Sequence, residues 1–177
     1  MEFAGTLFDP SELRILESDR NHAKAVFANM LLAVWRKETT FEAFRRMEAA
    51  TTELARTHPG GIGVMQIIEQ GAIPPDNATK REFLRVFAAL DQPVKHYSVV
   101  HEGTGFSAAI FRAVMLGIYT YVRPKFPHMA FDSLAKAVAW HVQQQTPSRQ
   151  TPITEVALLG AMQALRREAV RAGTESR

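Results

Sequence analysis

Apolar and polar positions divide the chain into short apolar runs and longer amphipathic ones. Leu13 to Asp19 and His22 to Asn29 have strand length, and Met30-Leu-Leu-Ala-Val-Trp-Arg36 is a stronger strand. Asn29 falls at a turn between the last two, which predicts a β-hairpin. Thr39 precedes a helix, with Glu42 three residues on as its capping-box partner. Phe41, Phe44, Met47 and Leu54 recur opposite Glu42, Arg45, Arg46 and Glu53, until His58-Pro59-Gly60-Gly61 stops the run. Ile62 to Glu69 is almost wholly apolar. That pattern predicts an interior strand in parallel pairing, with Val64 and Ile67 buried on opposite faces.

Thr79 and Glu82 form a second capping box, opening a helix that carries Phe83, Val86, Phe87 and Leu90. In the next strand, Lys95 to Glu102, alternation places His96, Ser98 and Val100 on one face and Tyr97, Val99 and His101 on the other. Gly103-Thr104-Gly105 leads into an apolar helix from Phe106 to about Val122, and Met129 to Phe131 makes a short strand. Asp132 or Ser133 then caps a helix bearing Leu134, Val138 and Trp140. A last helix starts at Thr151-Pro152, and its Val156, Leu159, Met162 and Leu165 stripe is suited to cover the 106–122 helix. Strands alternating with helices predict an α/β fold. The expected sheet has four to five mainly parallel strands, an N-terminal antiparallel hairpin and an extra C-terminal helix. Residues 1–20 read as an arm, 21–145 as the α/β domain, and 146–177 as a linker and helix packed on it.

Composition narrows the function classes. The 177 residues contain no Cys, which excludes disulfides, thiolate zinc sites and cysteine nucleophiles. Net charge is only +3, and the one basic cluster, Arg166, Arg167 and Arg171, lacks interleaved aromatics. It reads as a solvated helix face, so no nucleic-acid partner is expected. The acidic start, with Glu2, Asp9 and Glu12, does not resemble a signal peptide. The longest apolar stretch, 106–122, is interrupted by Arg112 and falls short of the roughly 20 residues that span a bilayer. A soluble, cytoplasmic protein without membrane contact is expected.

The sharpest local signal is Gly103-Thr104-Gly105-Phe106-Ser107-Ala108, which fits G-x-G-x-x-G/A, with Asp132 at 24 positions beyond Ala108. Glycines there would let the backbone approach a phosphate at the helix N-terminus. A dinucleotide, a smaller anion and a plain strand-to-helix turn all fit, and Asp132 fits a helix cap equally well. Ser107 with His101 and Glu102 upstream is the one passable nucleophilic trio, without a G-x-S-x-G elbow. His96 and His101 face opposite sides of a strand, His58 and His128 adjoin prolines, and His141 follows Trp140. These read as scattered histidines, so neither metal nor cofactor is expected.

The order hairpin, helix, 62–69 strand, helix, 95–102 strand, helix, short strand, helix resembles a STAS domain, the sulfate-transporter and anti-sigma-antagonist fold. The ending Phe131-Asp132-Ser133-Leu134-Ala135-Lys136-Ala137-Val138-Ala139-Trp140 is similar to the closing strand and helix of STAS-like bacterial proteins. The resemblance covers about Ala23 to His141 and implies a regulatory or binding role. Phosphorylated members carry Asp-Ser-Ser-Gly after the central strand. The corresponding stretch here, Gln70 to Thr79, has no such pattern.

The reading that follows is a non-catalytic binding or regulatory module for a protein partner or small anionic ligand. The alternative is a small enzyme acting on a nucleotide or acyl substrate. Ligands enter open α/β sheets at the carboxyl ends of the strands, where strand order reverses. That places the candidate site at Glu69, Asp76, Asn77, His101, Glu102, Thr104, Gly105 and Ser107. The apolar Phe106–Val122 helix is a possible homodimer surface.

Overall fold

The computed structural model describes residues 8–89, 93–103, 113, 115, 117–145 and 152–175. Its six strands are β1 (Leu13–Ser18), β2 (His22–Phe27), β3 (Met30–Trp35), β4 (Ile62–Ile68), β5 (Val94–His101) and β6 (His128–Phe131). The helices are α1 (Phe41–Thr57), α2 (Asn77–Ala89), α3 (Leu134–Gln144) and α4 (Glu155–Glu175), and residues 117–122 are helical as well. One α/β sheet results, with β1, β2 and β3 antiparallel and β3 to β6 parallel. Six strands replace the expected four to five because Leu13–Ser18, within the expected arm, pairs with β2 as an edge strand. Its partly exposed residues and the register shift between Ile15 and Glu17 blur the alternation that marks a strand.

The strands lie in the sheet in the order in which they occur in the chain. Parallel crossovers are right-handed, so a chain that always steps in one direction puts every crossover helix on the same face. Accordingly Phe44, Met47 and Leu54 of α1 and Val86 and Phe87 of α2 share one core with Val64, Tyr97 and Met115. Ile118, Tyr119 and Val122 pack against it. The other face is left for the end of the chain. There Leu134, Ala137 and Val138 of α3 and Leu158, Ala161, Met162, Leu165 and Ala169 of α4 cover Ala23, Ala25, Leu32, Val34, Met65 and Ile67. Small residues on both β2 and α4 let the helix approach closely. Burying a leucine such as Leu158 or Leu165 contributes about 1.5–3 kcal/mol.

This arrangement corrects the sequence reading of α4. It does not cover Met115, Ile118, Tyr119 and Val122 of the expected 106–122 helix, because these residues pack on the opposite face of the sheet. Its buried stripe is also rotated, leaving Val156 exposed and burying Ala157 and Leu158. β4 is interior and parallel to both neighbours, with Val64 and Ile67 fully buried in the two separate cores, as its apolar run predicts.

Local starts shift by a few residues. Thr40, not Thr39, caps α1, its hydroxyl accepting from Ala43 N at 3.2 Å. Asp76 accepts from Thr79 N at 2.7 Å, so Thr79 lies inside α2 and is not its cap. α4 begins at Glu155, where Thr154 accepts from Ala157 N at 3.2 Å, three positions later than Thr151-Pro152 implies. Ser133 holds the cap position of α3 without a side-chain bond, and Asp132 pairs with Lys136. In the β2–β3 hairpin loop Ala28 has φ 50, a conformation that favours glycine. Among the described residues no helix is long and apolar enough to cross a membrane.

Candidate functional site

Parallel strands end on a common rim, so the residues just beyond β3, β4 and β5 are brought together however far apart they are in sequence. Arg36, Glu69 and Glu102 occupy those places. Arg36 Nε donates to Glu69 Oε2 at 3.2 Å, and its Nη1 donates to Ala169 O of α4 at 2.8 Å. From α4, Arg166 reaches Glu69 at 3.4 Å and donates to Glu102 at 2.9 Å. Two of the candidate carboxylates therefore meet, joined by arginines that fasten α4 across the rim.

The other candidates have different surroundings. Asp76 caps α2, and the bond from Thr79 N, the main cause, holds its carboxyl below the usual range. Asn77 is the exposed first residue of that helix. His101 ends β5, half-buried, with its ring so close to Gly103 that a Cβ there would overlap it. Thr104, Gly105 and Ser107 lie outside the described residues, as does most of the G-x-G-x-x-A passage. The premise of a strand-order reversal is overturned: a sheet in strict sequence order has no switch point, hence no crevice of that kind.

Alternation along β5 places His96 and Ser98 under α3, where they meet His141. The facing Nδ1 atoms of His96 and His141 lie 2.6 Å apart, and His141 Nε2 lies 2.7 Å from Ser98 Oγ. All three side chains are buried, at 4%, 1% and 0% exposure for His96, His141 and Ser98. Gly63 makes room for them, since a Cβ there would overlap His96 Cε1 and Met30 Sδ. Burial pushes the His96 imidazole down to about 4. It pushes His141 well below its ordinary value, with the neighbouring His96 adding to the effect. The histidines are thus not all scattered. With Ser98 donating, the connectivity is that of a Ser–His–His triad, but it is sealed from substrate. Sequence reasoning missed the pair because 45 residues separate its members. The available signal was a polar His96 and Ser98 on a strand face otherwise directed into an apolar core.

A second polar array crosses the opposite face. Glu17 of β1 accepts from Lys24 Nζ, lies 3.0 Å from His22 Nε2, and accepts from Arg46 of α1 at 2.6 Å. Burial raises the Glu17 carboxyl, but Lys24, His22 and Arg46 outweigh it and bring it down to about 2. Lys24, 1% exposed, also donates to Ala43 O at 2.5 Å and sits 5.2 Å above the Trp35 ring. Trp35 Nε1 donates to Gln66 Oε1 at 2.6 Å, and Gln66 Nε2 donates to the Tyr97 hydroxyl at 2.7 Å. Polar contacts and ring stacking so link five adjacent strands beneath the crossover helices. Each of these side chains has a hydrogen-bond partner, as a structural array requires, although the buried His22 Nδ1 makes none among the described residues and lies 3.4 Å from Asp19 Oδ1.

At the opposite rim, between the ends of α1 and α2, a cleft of about 380 Å³ is lined by His58, Gly61, Pro93 and Lys95 among others. His58 is held by the last turn of α1, with Nδ1 3.0 Å from Leu54 O. Lys95 supplies a positive charge at this cleft, which offsets the carbonyl ends of the helices there. Among the described residues no three His, Asp or Glu side chains gather in a way that could hold a metal ion. No family model, no curated protein and no solved structure matches the chain.

Proposed function

We propose that this chain is a non-catalytic binding or regulatory module of STAS-like type, whose recognition surface is the carboxyl rim of the sheet. The observation that carries the reading is the Arg36–Glu69–Arg166–Glu102 network. A carboxylate held between guanidinium groups is a poor general base, whereas a fixed pattern of alternating charge is suited to recognising a protein surface or an anionic group. The element order also supports the family reading. A β-hairpin, then alternating helices and strands, then the short β6 and α3, is the order on which the resemblance rests.

The test is a thermal-shift screen of phosphorylated and carboxylated metabolites, run on the wild-type chain and on Arg36→Ala and Arg166→Ala. A specific ligand at 100 times its dissociation constant should add about 2.7 kcal/mol of stability, and the rim variants should lose that gain. Turnover of p-nitrophenyl acetate or a nucleoside phosphate that disappears in Glu69→Gln or Glu102→Gln would overturn the reading in favour of a small enzyme.

A further inference from the structure

α3 rests on the sheet face that the crossover helices leave bare, and among the described residues its buried polar anchor on the sheet is the His96–His141–Ser98 contact. Neutral rings fit that geometry because one proton lies between the facing Nδ1 atoms and one between His141 Nε2 and Ser98 Oγ. A first extra proton places a charge in a dry site. A second would also set N–H against N–H across 2.6 Å.

We propose that this contact is an acid-sensitive latch: undocking of α3 from β5 is coupled to the uptake of two protons, one on each imidazole. The surroundings offer an imidazolium no compensation. On the same face β5 presents Ser98 and Val100, β4 Gly63 and Met65, and β3 Met30. Trp140 of α3 lies edge-on to both rings, at 6.2 and 5.0 Å between centroids. The nearest charges on these elements are engaged elsewhere. Lys136 of α3 pairs with Asp132, Arg166 of α4 with Glu69 and Glu102, and Lys95 of β5 lies against Gly61 at the cleft. Among the described residues no carboxylate faces the pair. With α3 undocked, both rings meet water and titrate near the ordinary 6.5, while in the docked state His96 stays neutral down to about 4.

Sign and size follow. Both docked values are depressed, so the open state binds more protons and acid favours it, from about pH 6.5 downwards. Between about pH 7.5 and pH 5.5 each imidazole multiplies the opening constant about tenfold, and the two together about 100-fold. Hydrogen exchange of α3 amides, corrected for intrinsic rates, reads that constant, with α1 amides on the opposite face as the reference. The expected result is a rise near 100-fold in α3, exceeding that in α1, and its loss in His96→Asn/His141→Gln. A rise below threefold, or an equal rise in α1, overturns the latch. The wild-type ring nitrogens, followed by NMR, give a second readout that needs no variant. Both rings should stay neutral at pH 5.5 in the folded protein, and either one titrating near 6.5 with α3 protection unchanged would also overturn it.

Discussion

Replacing Glu17 by alanine removes the carboxylate that neutralises a lysine held at 1% exposure. Lys24 would be left with one carbonyl, Ala43 O, and the face of Trp35. Breaking a buried pair costs about 3–5 kcal/mol when the survivor stays charged and dry. The Glu17 side chain is 24% exposed, so water can enter the gap, and the loss should sit lower, at about 2–3 kcal/mol. For a chain of this size that lowers Tm by roughly 4–12 °C. Lys24→Met should behave differently. It keeps the stem volume, removes the buried charge, and leaves Glu17 with Arg46 and His22, so the change should stay within about 1 kcal/mol. The double variant should resemble Lys24→Met, giving a coupling of about 2 kcal/mol. Alkaline pH adds an independent check. Burial, the main cause, depresses the folded Lys24 ammonium below 10.5, and losing Glu17 deepens that depression. The unfolded lysine keeps its proton up to about 10.5, so the deficit of Glu17→Ala should shrink as pH rises from about 7 towards 10. Denaturant titrations followed by circular dichroism measure all four proteins. Equal losses for the two single variants, strict additivity, or a deficit that widens with pH would refute the reasoning.

Three further outcomes are expected. Ala28→Gly, at the hairpin position with φ 50, should stabilise by about 1 kcal/mol, and calorimetry showing a lower Tm would contradict the strain argument. Gly63→Ala should cost about 1–3 kcal/mol by forcing His96 and Met30 apart, with altered ring chemical shifts for His96 and His141. Arg166→Ala should lower stability by about 1 kcal/mol in dilute buffer, and the difference should fade in about 0.5 M salt, since Arg166 is 33% exposed.

Much of the fold was legible in the sequence because its strongest elements carry their own periodicity. The apolar run of β4, interrupted by Gln66, and the alternation of β5 need no knowledge of neighbours to be recognised, and both were placed with the right faces. Helix starts were less legible because adjacent hydroxyls and carboxylates satisfy the same rule: Thr39 and Thr40 differ only in which side chain reaches Ala43 N. Strand order left no mark on local pattern, so the switch point was assumed and proved absent. Glu69 and Glu102 were placed on one rim by the parallel-strand argument. Their partner Arg166 was read as a solvated charge, because what brings it there is the docking of α4, not its local sequence.

Sequential strand order also bears on how the protein is made. Among the described residues, the face formed by Ala23, Ala25, Leu32, Val34, Met65 and Ile67 is covered mainly by residues from Leu134 onwards, with Phe8 also packed against it. A ribosome adding about 5–20 residues each second needs roughly 2–9 s to supply the segment from Leu134 to Glu175. Throughout that interval a nascent sheet would carry one finished side and one adhesive side. Synthesis halted near residue 132 should therefore yield a chaperone-dependent, aggregation-prone product, although every strand of the sheet has already been translated.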